Sequence, residues 1–301
     1  MMKTLNALIC RNTKLFFKDK GMFFTSLITP AILLVLYGAF LSKVYKDSFI
    51  SALPNGLPMA DELINGCVGG QLISSILAVS CITVAFCSNM LMVQDKANES
   101  IKDIRISPVS GSTLALGYYV STFFSTLIIC LIATAICLGY IAYVGWYMSV
   151  LDVILLVVDV MLLVLFGTAL SSVVNFFLST QGQISAVGTI VSSGYGFISG
   201  AYMPISQFSP ALQKVILFLP GTYGTSLLRN HALRGVFKQM EEENFPKEAI
   251  DGIKAVVDCD IKFFDYDVTI PAMYAVLCIS IILLIGIYVL MNIIRLKKTK
   301  E

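Results

Sequence analysis

The sequence predicts an all-α polytopic membrane protein with six transmembrane helices, an N-terminal amphipathic helix at the membrane interface and a re-entrant helical segment between spans five and six. Hydrophobic residues make up 57% of the 301 residues and charged residues only 13%, whereas about a quarter of a soluble domain is charged. The mean hydropathy is +0.83, and several apolar stretches are long enough to cross a bilayer. Residues 1–301 are therefore expected to form a single transmembrane domain.

Residues 2–19 predict an amphipathic helix. Apolar side chains such as Leu8 and Phe16 fall near one helix face, and lysines such as Lys3 and Lys14 fall near the other. Such a helix is expected to lie in the membrane interface, with its lysines toward anionic head groups.

Six apolar stretches follow, and the first two are separated by a predicted polar loop from Ser42 to Asn65. The expected bounds of the spans are about 22–41, 66–93, 114–140, 148–177, 184–203 and 270–294. Lysine and arginine are concentrated in the leader, in the loop after the second span and in the C-terminal tail. The positive-inside rule then places both termini and that loop in the cytoplasm.

The cytoplasmic loop at 95–110 is the candidate docking surface for a soluble partner. Its charges alternate in sign from Asp95 to Arg105, and isoleucines lie among them. Apolar residues among the charges favour docking, although a solvated linker helix would show a similar pattern. The candidate contact residues are Glu99, Lys102, Asp103, Ile104, Arg105 and Pro108.

The stretch from Val187 to Arg229 predicts part of a pathway or gate. Small residues recur every four positions and would let another helix approach closely in lipid; they are Gly188, Ser192, Gly196 and Gly200. The helix is predicted to break at Pro204. The apolar run from Pro210 to Leu219 then gives roughly 15 Å of helix, about half a bilayer core.

We therefore predict a re-entrant segment at 205–237, followed by an acidic extracytoplasmic loop at 238–268. Irregular backbone at such a depth is tolerated inside protein or beside a water-filled cavity. In the alternative, the fifth span simply ends at Pro204 and an amphipathic helix lies on the surface. The candidate pathway and outer-gate residues are Gly196, Gly200, Tyr202, Pro204, Pro220, Tyr223 and Arg229.

Asp159 is the candidate intramembrane acid. It lies roughly 15 Å into the fourth span, seven residues after Asp152 and on the same helix face. An acid at this depth usually faces a bundle interior or a cavity. It could contact substrate, carry a proton or lock helices together, or it could be a protonated acid bonded to a neighbouring helix.

Catalytic chemistry has little support in this chain. The sequence contains no Gly-Lys dipeptide and hence no P-loop, and His231 is its one histidine. The spacing of His231, Asp258, Cys259 and Asp260 does not support a metal site. No basic stripe with interleaved aromatic residues suggests a nucleic-acid partner. We predict no catalytic residue, metal or cofactor in this chain.

The sequence resembles the ABC-2 type transporter permeases, the membrane subunits of ATP-driven exporters. The resemblance rests on Ser199-Gly200-Ala201-Tyr202-Met203-Pro204-Ile205-Ser206, Leu219-Pro220-Gly221-Thr222-Tyr223, Leu228-Arg229 and the loop ending Ser107-Pro108-Val109-Ser110. Two features depart from the family pattern. The acidic insertion from Lys238 to Asp267 is larger than in many members, and many members have an asparagine before the second proline.

The resemblance implies how such a chain would work. The 95–110 loop would carry a coupling helix seated in a separate ATPase subunit that binds ATP and Mg, and the leader would be the connecting helix beside it. Two permease subunits, identical or different, would pair with two ATPase subunits. Spans two and five of both permeases would line a central path, and the re-entrant helices would close it on the outside.

The implied function is export of an amphipathic substrate, such as a drug, lipid or hydrophobic peptide, across the cytoplasmic membrane. One alternative is a stand-alone secondary transporter or channel that uses Asp159 as a proton or ion site. Another is a membrane-embedded enzyme, against which the absence of a histidine or carboxylate cluster at one depth argues.

Overall fold

The computed structural model describes residues 2–36, 38, 42–52, 60–106, 109–264 and 266–300. Their helices are α1 Met2–Lys18, α2 Lys20–Leu36, α3 Ser42–Ala52, α4 Asp61–Ser88, α5 Met90–Ala97, α6 Ser100–Ile106, α7 Gly111–Val144, α8 Val150–Phe176, α9 Gln181–Ile198, α10 Pro210–Ile216, α11 Pro220–Glu242, α12 Lys247–Val256 and α13 Ile270–Lys300. A 3-10 turn covers Ile205–Gln207. Strands β1 Lys262–Phe263 and β2 Tyr266–Asp267 pair antiparallel.

Within the described ranges, four helical stretches are long and apolar enough to cross a membrane by themselves. They are Asp61–Ala97, Gly111–Val144, Val150–Phe176 and Ile270–Arg295. The pair α1 and α2, bent by 74° between them, passes the same test when taken together. The helices at the predicted first and fifth spans, α2 and α9, have 17 and 18 residues. The protein is therefore a helical membrane protein with several apolar helices.

Helix α4 is the centre of the bundle. It packs against α2, α3, α7, α8, α9 and α11, and nearly all of its residues from Leu63 to Ala85 are buried within the single chain. Apolar and small residues occur all around its circumference, as expected of a helix enclosed on every side. The family resemblance implies that the second span lines a path between two subunits. The structure instead surrounds this helix with the chain's own elements.

Residues 42–52 form a helix, and the predicted polar loop is therefore wrong in this part. Tyr45 and Phe49 lie one turn apart and are both buried, and α3 packs on α4 and α12. Lys46 Nζ also pairs with Asp61 Oδ1 at 2.8 Å. Packing of this one face against α4 and α12 stabilises the helix. The average polarity of residues 42–52 does not reveal it.

The predicted break at Pro204 occurs earlier in the structure. Helix α9 ends at Ile198, and Gly200 has a φ of +74°. A left-handed residue at this position ends a helix, and glycine adopts that conformation without steric cost. Pro204 follows in an extended conformation. Helix α11 continues to Glu242, so the predicted acidic loop at 238–268 begins as helix.

Candidate functional site

Helices α10 and α11 are joined by a short turn at residues 217–219, and we call the two helices with this turn the hairpin, with its tip at Leu219 and Pro220. Thr222 Oγ1 donates to the carbonyl oxygen of Ile216 at 3.0 Å, and Tyr223 Oη donates to that of Leu217 at 2.7 Å. These bonds hold the end of α10 against the start of α11. Pro220 occupies the first turn of α11, where its missing N–H leaves no helical bond unmade.

The hairpin tip lies near the midpoint of both α8 and α13. Gly224, just beyond the tip, sits against Leu163, which is about 20 Å along α8 from Val150 at 1.5 Å per residue. Leu219 lines a cavity together with Leu283, which is also about 20 Å along α13 from Ile270. Measured from the first residue of α8 or of α13, the tip therefore lies at the same distance along both helices.

The end of α9 packs against the residues that follow it. The Tyr202 N–H donates to the Gly196 carbonyl oxygen at 2.8 Å, and a Cβ at Gly196 would overlap the Tyr202 ring. A Cβ at Gly188 would meet no atom within 4 Å, and Gly200 lies beyond the helix. The predicted stripe of four small residues is therefore not one continuous helix face.

Arg229 and Asp258 form a buried ion pair at this break. Arg229 Nη1 donates to Asp258 Oδ2 at 3.0 Å, and the two side chains are 1% and 7% exposed. Arg229 Nη2 also donates to the Gly200 carbonyl oxygen, and the Ile205 N–H donates to Asp258 Oδ2 at 2.9 Å. The pair therefore joins α11, the end of α9, the 3-10 turn and the segment after α12.

Burial of the Arg229–Asp258 pair disfavours the charged form of the Asp258 carboxyl. Burial raises the pKa of the Asp258 carboxyl above its ordinary value, while Arg229 and the Ile205 N–H favour the charged form. The attraction within a buried pair is offset by the desolvation of both groups. The bonds of Arg229 and Asp258 hold together the segments that they join. Burial also raises the pKa of the neighbouring Cys259 thiol, which keeps that thiol protonated and unreactive.

Asp159 belongs to a second buried cluster. His231 Nδ1 lies 2.5 Å from Asp159 Oδ2, and Tyr274 Oη donates to Asp159 Oδ1 at 2.6 Å. Both carboxylate oxygens are therefore occupied by groups of the same chain. The geometry favours the helix-locking alternative for this acid, because the three side chains come from α8, α11 and α13.

A third acid, Asp152, faces α11 about two turns before Asp159 on α8. Asp152 Oδ1 lies 3.4 Å from Arg234 Nε, while Asp152 Oδ2 accepts the Ser149 N–H and hydroxyl in the capping box that starts α8. The basic residues of this stretch, Arg229, His231 and Arg234, thus each oppose an acid from another element. Charge complementarity places α11 within the bundle.

At the opposite end of α4, the short helix α6 presents a charged surface. Glu99 has a φ of +60° and turns the chain sharply between α5 and α6. Ile101 is buried and Ile104 is half-buried in a cluster with Leu8 and Tyr118. Lys102 Nζ bonds Glu99 Oε1 at 2.5 Å with both side chains exposed.

Ile106 is 84% exposed, and Asp103 is exposed beside it. Of the predicted contact residues, Glu99, Lys102 and Asp103 therefore lie on the outer side of α6. Ile104 instead packs inward. The side chain of Arg105 and the whole of Pro108 lie outside the part of the chain that the structure describes.

The first charge of the predicted docking loop is used inside the chain. Arg11 donates to both carboxylate oxygens of Asp95, through Nη1 at 2.7 Å and Nη2 at 3.0 Å. Tyr118 Oη donates to Asp95 Oδ2 at 2.6 Å. A bidentate arginine–carboxylate pair is specific in geometry, so the leader helix α1 is fixed to α5 and α7 directly behind α6.

Lys96, the second charge of that loop, also bonds within the chain. Its Nζ donates to the carbonyl oxygens of Asn175, Phe176 and Leu178 at 2.8–3.1 Å. These carbonyls end α8, where a cation satisfies unpaired acceptors and the helix dipole. The exposed charges of the predicted docking loop therefore begin at Glu99 rather than at Asp95.

The sequence does not predict four of the residues in these buried ion pairs and hydrogen bonds as functional: Asp258, His231, Tyr274 and Arg11. One signal could have indicated them. Three basic residues within six positions of an apolar hairpin require acidic partners in a membrane, and Asp159 was already known from the sequence. The distance along the chain between Arg229 and Asp258 conceals their contact.

Among the described residues, no group of three or more His, Cys, Asp or Glu side chains could hold a metal ion. His231 and Asp258, two members of the rejected metal site, bond to different partners.

Comparison with protein families identifies the class of this protein. The model of the ABC-2 type transporter family matches residues 3–232, which are 230 of the 301 residues.

The chain therefore belongs to the ABC-2 type transporter family, and the predicted resemblance is confirmed. A comparison with curated proteins finds no match. Asp258 and Tyr274 lie after the matched region, so the buried pair and the Asp159 cluster each join the family region to the C-terminal part of the chain.

Proposed function

We propose that this chain is the permease subunit of an ABC exporter in the cytoplasmic membrane. ATP and Mg are bound by a separate ATPase subunit, and the cargo is an amphipathic drug, lipid or hydrophobic peptide. Family membership supports association with an ATP-binding subunit in general. The proposed arrangement has six spans, with α2 and α9 as the first and fifth, and both termini in the cytoplasm.

The observation that carries this proposal is the anchored helix α6. Its inner face is held by Ile101, and the Arg11–Asp95 pair fixes the leader and α5 behind it. Its outer face presents Glu99, Lys102, Asp103 and Ile106. The exposed face of α6 is suited to being pushed by a partner subunit. Because α6 is held firmly against α5, a push on α6 would move α5 and α4 with it.

A second permease subunit is proposed to pack against α9. Ser185, Thr189 and Ser193 recur every four residues and are all exposed. A stripe of hydroxyls is a poor surface for lipid and a good one for a helix interface or a wetted path. Because α4 is enclosed by its own chain, the inter-subunit path would be lined mainly by α9.

The hairpin of α10 and α11 is the proposed outer gate. Its tip reaches the midpoint of two long apolar helices, which supports a re-entrant element. The ion pair of Arg229 and Asp258 links this hairpin to the end of α9. An outward opening would have to move these segments together or break that pair.

The first experiment is a mild-detergent pull-down of the tagged permease, followed by an ATPase assay. We expect a P-loop ATPase in near-equal stoichiometry, with vanadate-sensitive hydrolysis. A permease that purifies alone and still moves substrate or ions in liposomes would contradict the proposal and favour the alternative that uses Asp159.

The variant Ile106→Ser tests the docking face directly. We expect weaker co-purification of the ATPase and a severalfold loss of transport, because this exposed apolar side chain would be buried against the partner. The matched control is Phe177→Ser, which removes an exposed aromatic residue at the same end of the bundle. Equal effects of the two variants would contradict docking through α6.

A further inference from the structure

Exposed aromatic rings cluster where the hairpin meets the two paired strands β1 and β2, which we call the β ribbon. The ring of Phe218, in the turn between α10 and α11, has its centroid 5.3 Å from that of Phe263 and 6.2 Å from that of Phe264. Phe218, Phe264 and Tyr266 are 65%, 48% and 79% exposed. We call this surface the aromatic platform; its residues are Leu212, Val215, Phe218, Phe263, Phe264 and Tyr266.

Helix α10 contributes the aliphatic part of the platform. Ile216 packs inward and is buried, whereas Leu212 and Val215 are exposed. These two side chains would face water if α10 lay in an aqueous loop. A contiguous exposed apolar patch instead marks contact with a partner or with a membrane.

The Phe264 ring is held outward by an unusual backbone conformation. Phe263 pairs with Tyr266, so residues 264 and 265 form a two-residue loop, and Phe264 has a φ of +55°. Such loops favour asparagine and glycine, which adopt positive φ readily, and a bulky side chain is disfavoured there. The ring is therefore presented at a conformational cost, which its transfer from water into an apolar phase would offset.

Both parts of the platform are tied to segments at membrane depth. Phe218 directly precedes the hairpin tip, which lies about 20 Å along two apolar helices. On the other side, β2 ends at Asp267 and α13 begins at Ile270. Three residues reach at most about 11 Å, so the β ribbon stays close to the start of this apolar helix.

A cation accompanies the rings. Lys214 Nζ lies 5.8 Å from the centroid of the Phe264 ring, and its side chain is exposed. A lysine beside aromatic rings is typical of the membrane interface, where its stem lies along apolar surface and its ammonium reaches the head groups. Two acids of the same region, Asp251 and Asp260, line a separate polar cavity of about 790 Å³, and none of the platform rings lines it.

We propose that the aromatic platform is seated in the lipid of the membrane interface, with the Lys214 ammonium on the phosphate of an anionic phospholipid. The rings and aliphatic side chains supply apolar contact, and the lysine supplies charge complementarity with the head group. Lipid is favoured over a protein partner because the chain continues from the platform into α13, whose exposed Ile279 and Ile282 suit lipid. The contact does not depend on the ATPase partner or on transport.

The platform joins two regions with different predicted locations. Its α10 part belongs to the hairpin proposed as the outer gate. Its β ribbon belongs to the loop predicted at 238–268, which is expected outside the membrane. Lipid contact by both would hold the outer arm of the gate at the membrane surface.

Tryptophan fluorescence tests this placement, because Trp146 is the one tryptophan of the chain. In a Trp146→Phe background, Phe264→Trp and Phe218→Trp each put one reporter on the platform of the full chain in phosphatidylcholine liposomes. We expect blue-shifted emission and little quenching by aqueous iodide. Lipid brominated near the carbonyl end of its acyl chains should quench more than lipid brominated near the chain terminus. Because position 264 has a positive φ, the Phe218→Trp reporter decides if Phe264→Trp does not fold.

The matched control is Glu248→Trp on α12, an exposed position of the same predicted loop. It should be quenched by iodide and not by brominated lipid. Platform reporters that behave like Glu248→Trp would place the rings in water and overturn the proposal. Protection from both quenchers would show that protein covers the platform, which also overturns it.

Lipid charge tests the role of Lys214. Brominated phosphatidylglycerol, as a minor component, should quench the Phe218→Trp reporter about two- to fivefold more than brominated phosphatidylcholine at the same fraction, the effect of one lysine at the surface. Lys214→Gln should remove this difference. Lys238→Gln, which changes an exposed lysine on α11, should leave it. No preference for phosphatidylglycerol, or an equal preference in the two variants, would refute the head-group contact.

Discussion

Arg229 is a full positive charge enclosed by protein, and Asp258 supplies the carboxylate that faces it. A guanidinium does not lose its proton in a protein. The pair therefore persists as long as the hairpin and the segment after α12 stay together. Neither residue can be changed alone without leaving its partner uncompensated.

The first prediction concerns this pair. Arg229→Met should destabilise the protein by about 3–5 kcal/mol, because it leaves a buried carboxylate unpaired. Thermal unfolding in detergent measures the loss. The matched control is Lys238→Met on the same helix, because the side chains of Lys238 and of its partner Glu242 are both exposed, at 76% and 59%, and the change should cost below about 1 kcal/mol. Similar losses for the two variants would show that Arg229 is not held as described.

The second prediction concerns the Asp159 cluster. Asp159→Asn and His231→Gln should each lower thermal stability, and the double variant should lose less than the sum. A coupling of about 0.5–3 kcal/mol is typical of directly bonded residues. Transport per folded molecule should be retained in each variant. Abolished transport in a well-folded Asp159→Asn protein would instead indicate a proton or ion site.

At the scale of elements, α1 is attached to the bundle rather than only to the membrane surface. Its buried residues Leu8, Asn12 and Phe16 lie on one face, and α1 packs along α7. Leu8 sits against Gly117, where a Cβ would approach it to 3.0 Å. The leader, α5 and α7 therefore form one unit behind α6.

The third prediction tests this unit. Arg11→Ala removes both bonds to Asp95 and should weaken the attachment of α1 by on the order of 2 kcal/mol. Faster hydrogen exchange in residues 2–18 is the expected result. Lys14→Ala is the control, because it removes an exposed positive charge from the same helix. Unchanged exchange in Arg11→Ala would refute the anchoring role.

At the scale of the whole molecule, the exposed faces indicate how copies would associate. Helices α7 and α13 expose large apolar side chains, which suit lipid. Helix α9 exposes the hydroxyl stripe of Ser185, Thr189 and Ser193. In the proposed assembly, the apolar faces of α7 and α13 would meet lipid, and the hydroxyl stripe of α9 would meet the second permease subunit.

The fourth prediction follows from this division. With the exposed Cys10 and Cys278 replaced by serine, Ser193→Cys should form an intersubunit disulfide under mild oxidation in membranes. Ile136→Cys, on the exposed apolar face of α7, should not. Cross-linking through Ile136→Cys alone would place the interface on the other side of the molecule.

Local pattern predicts much of the helical framework, because apolar length and turn residues act over short distances. The bounds predicted for the fourth span, 148–177, lie within two residues of α8. Pattern fails at α3, where packing of Tyr45 and Phe49 decides the helix, and at Pro204, where Gly200 ends the helix first. Proline only disfavours continuation of a helix, because it lacks a backbone N–H. A glycine in the left-handed conformation turns the chain out of the helix and so fixes where the helix ends.

The sequence by itself determined that this is a helical membrane protein of the ABC-2 type transporter family, with a broken segment before Arg229 and an acid within the fourth span. Only the tertiary structure decided which charges meet: Arg229 with Asp258, His231 with Asp159, and Arg11 with Asp95. The physical reason is distance along the chain. Helix formation depends on neighbours within a turn or two, whereas these partners are 29, 72 and 84 residues apart and come together only when the bundle packs.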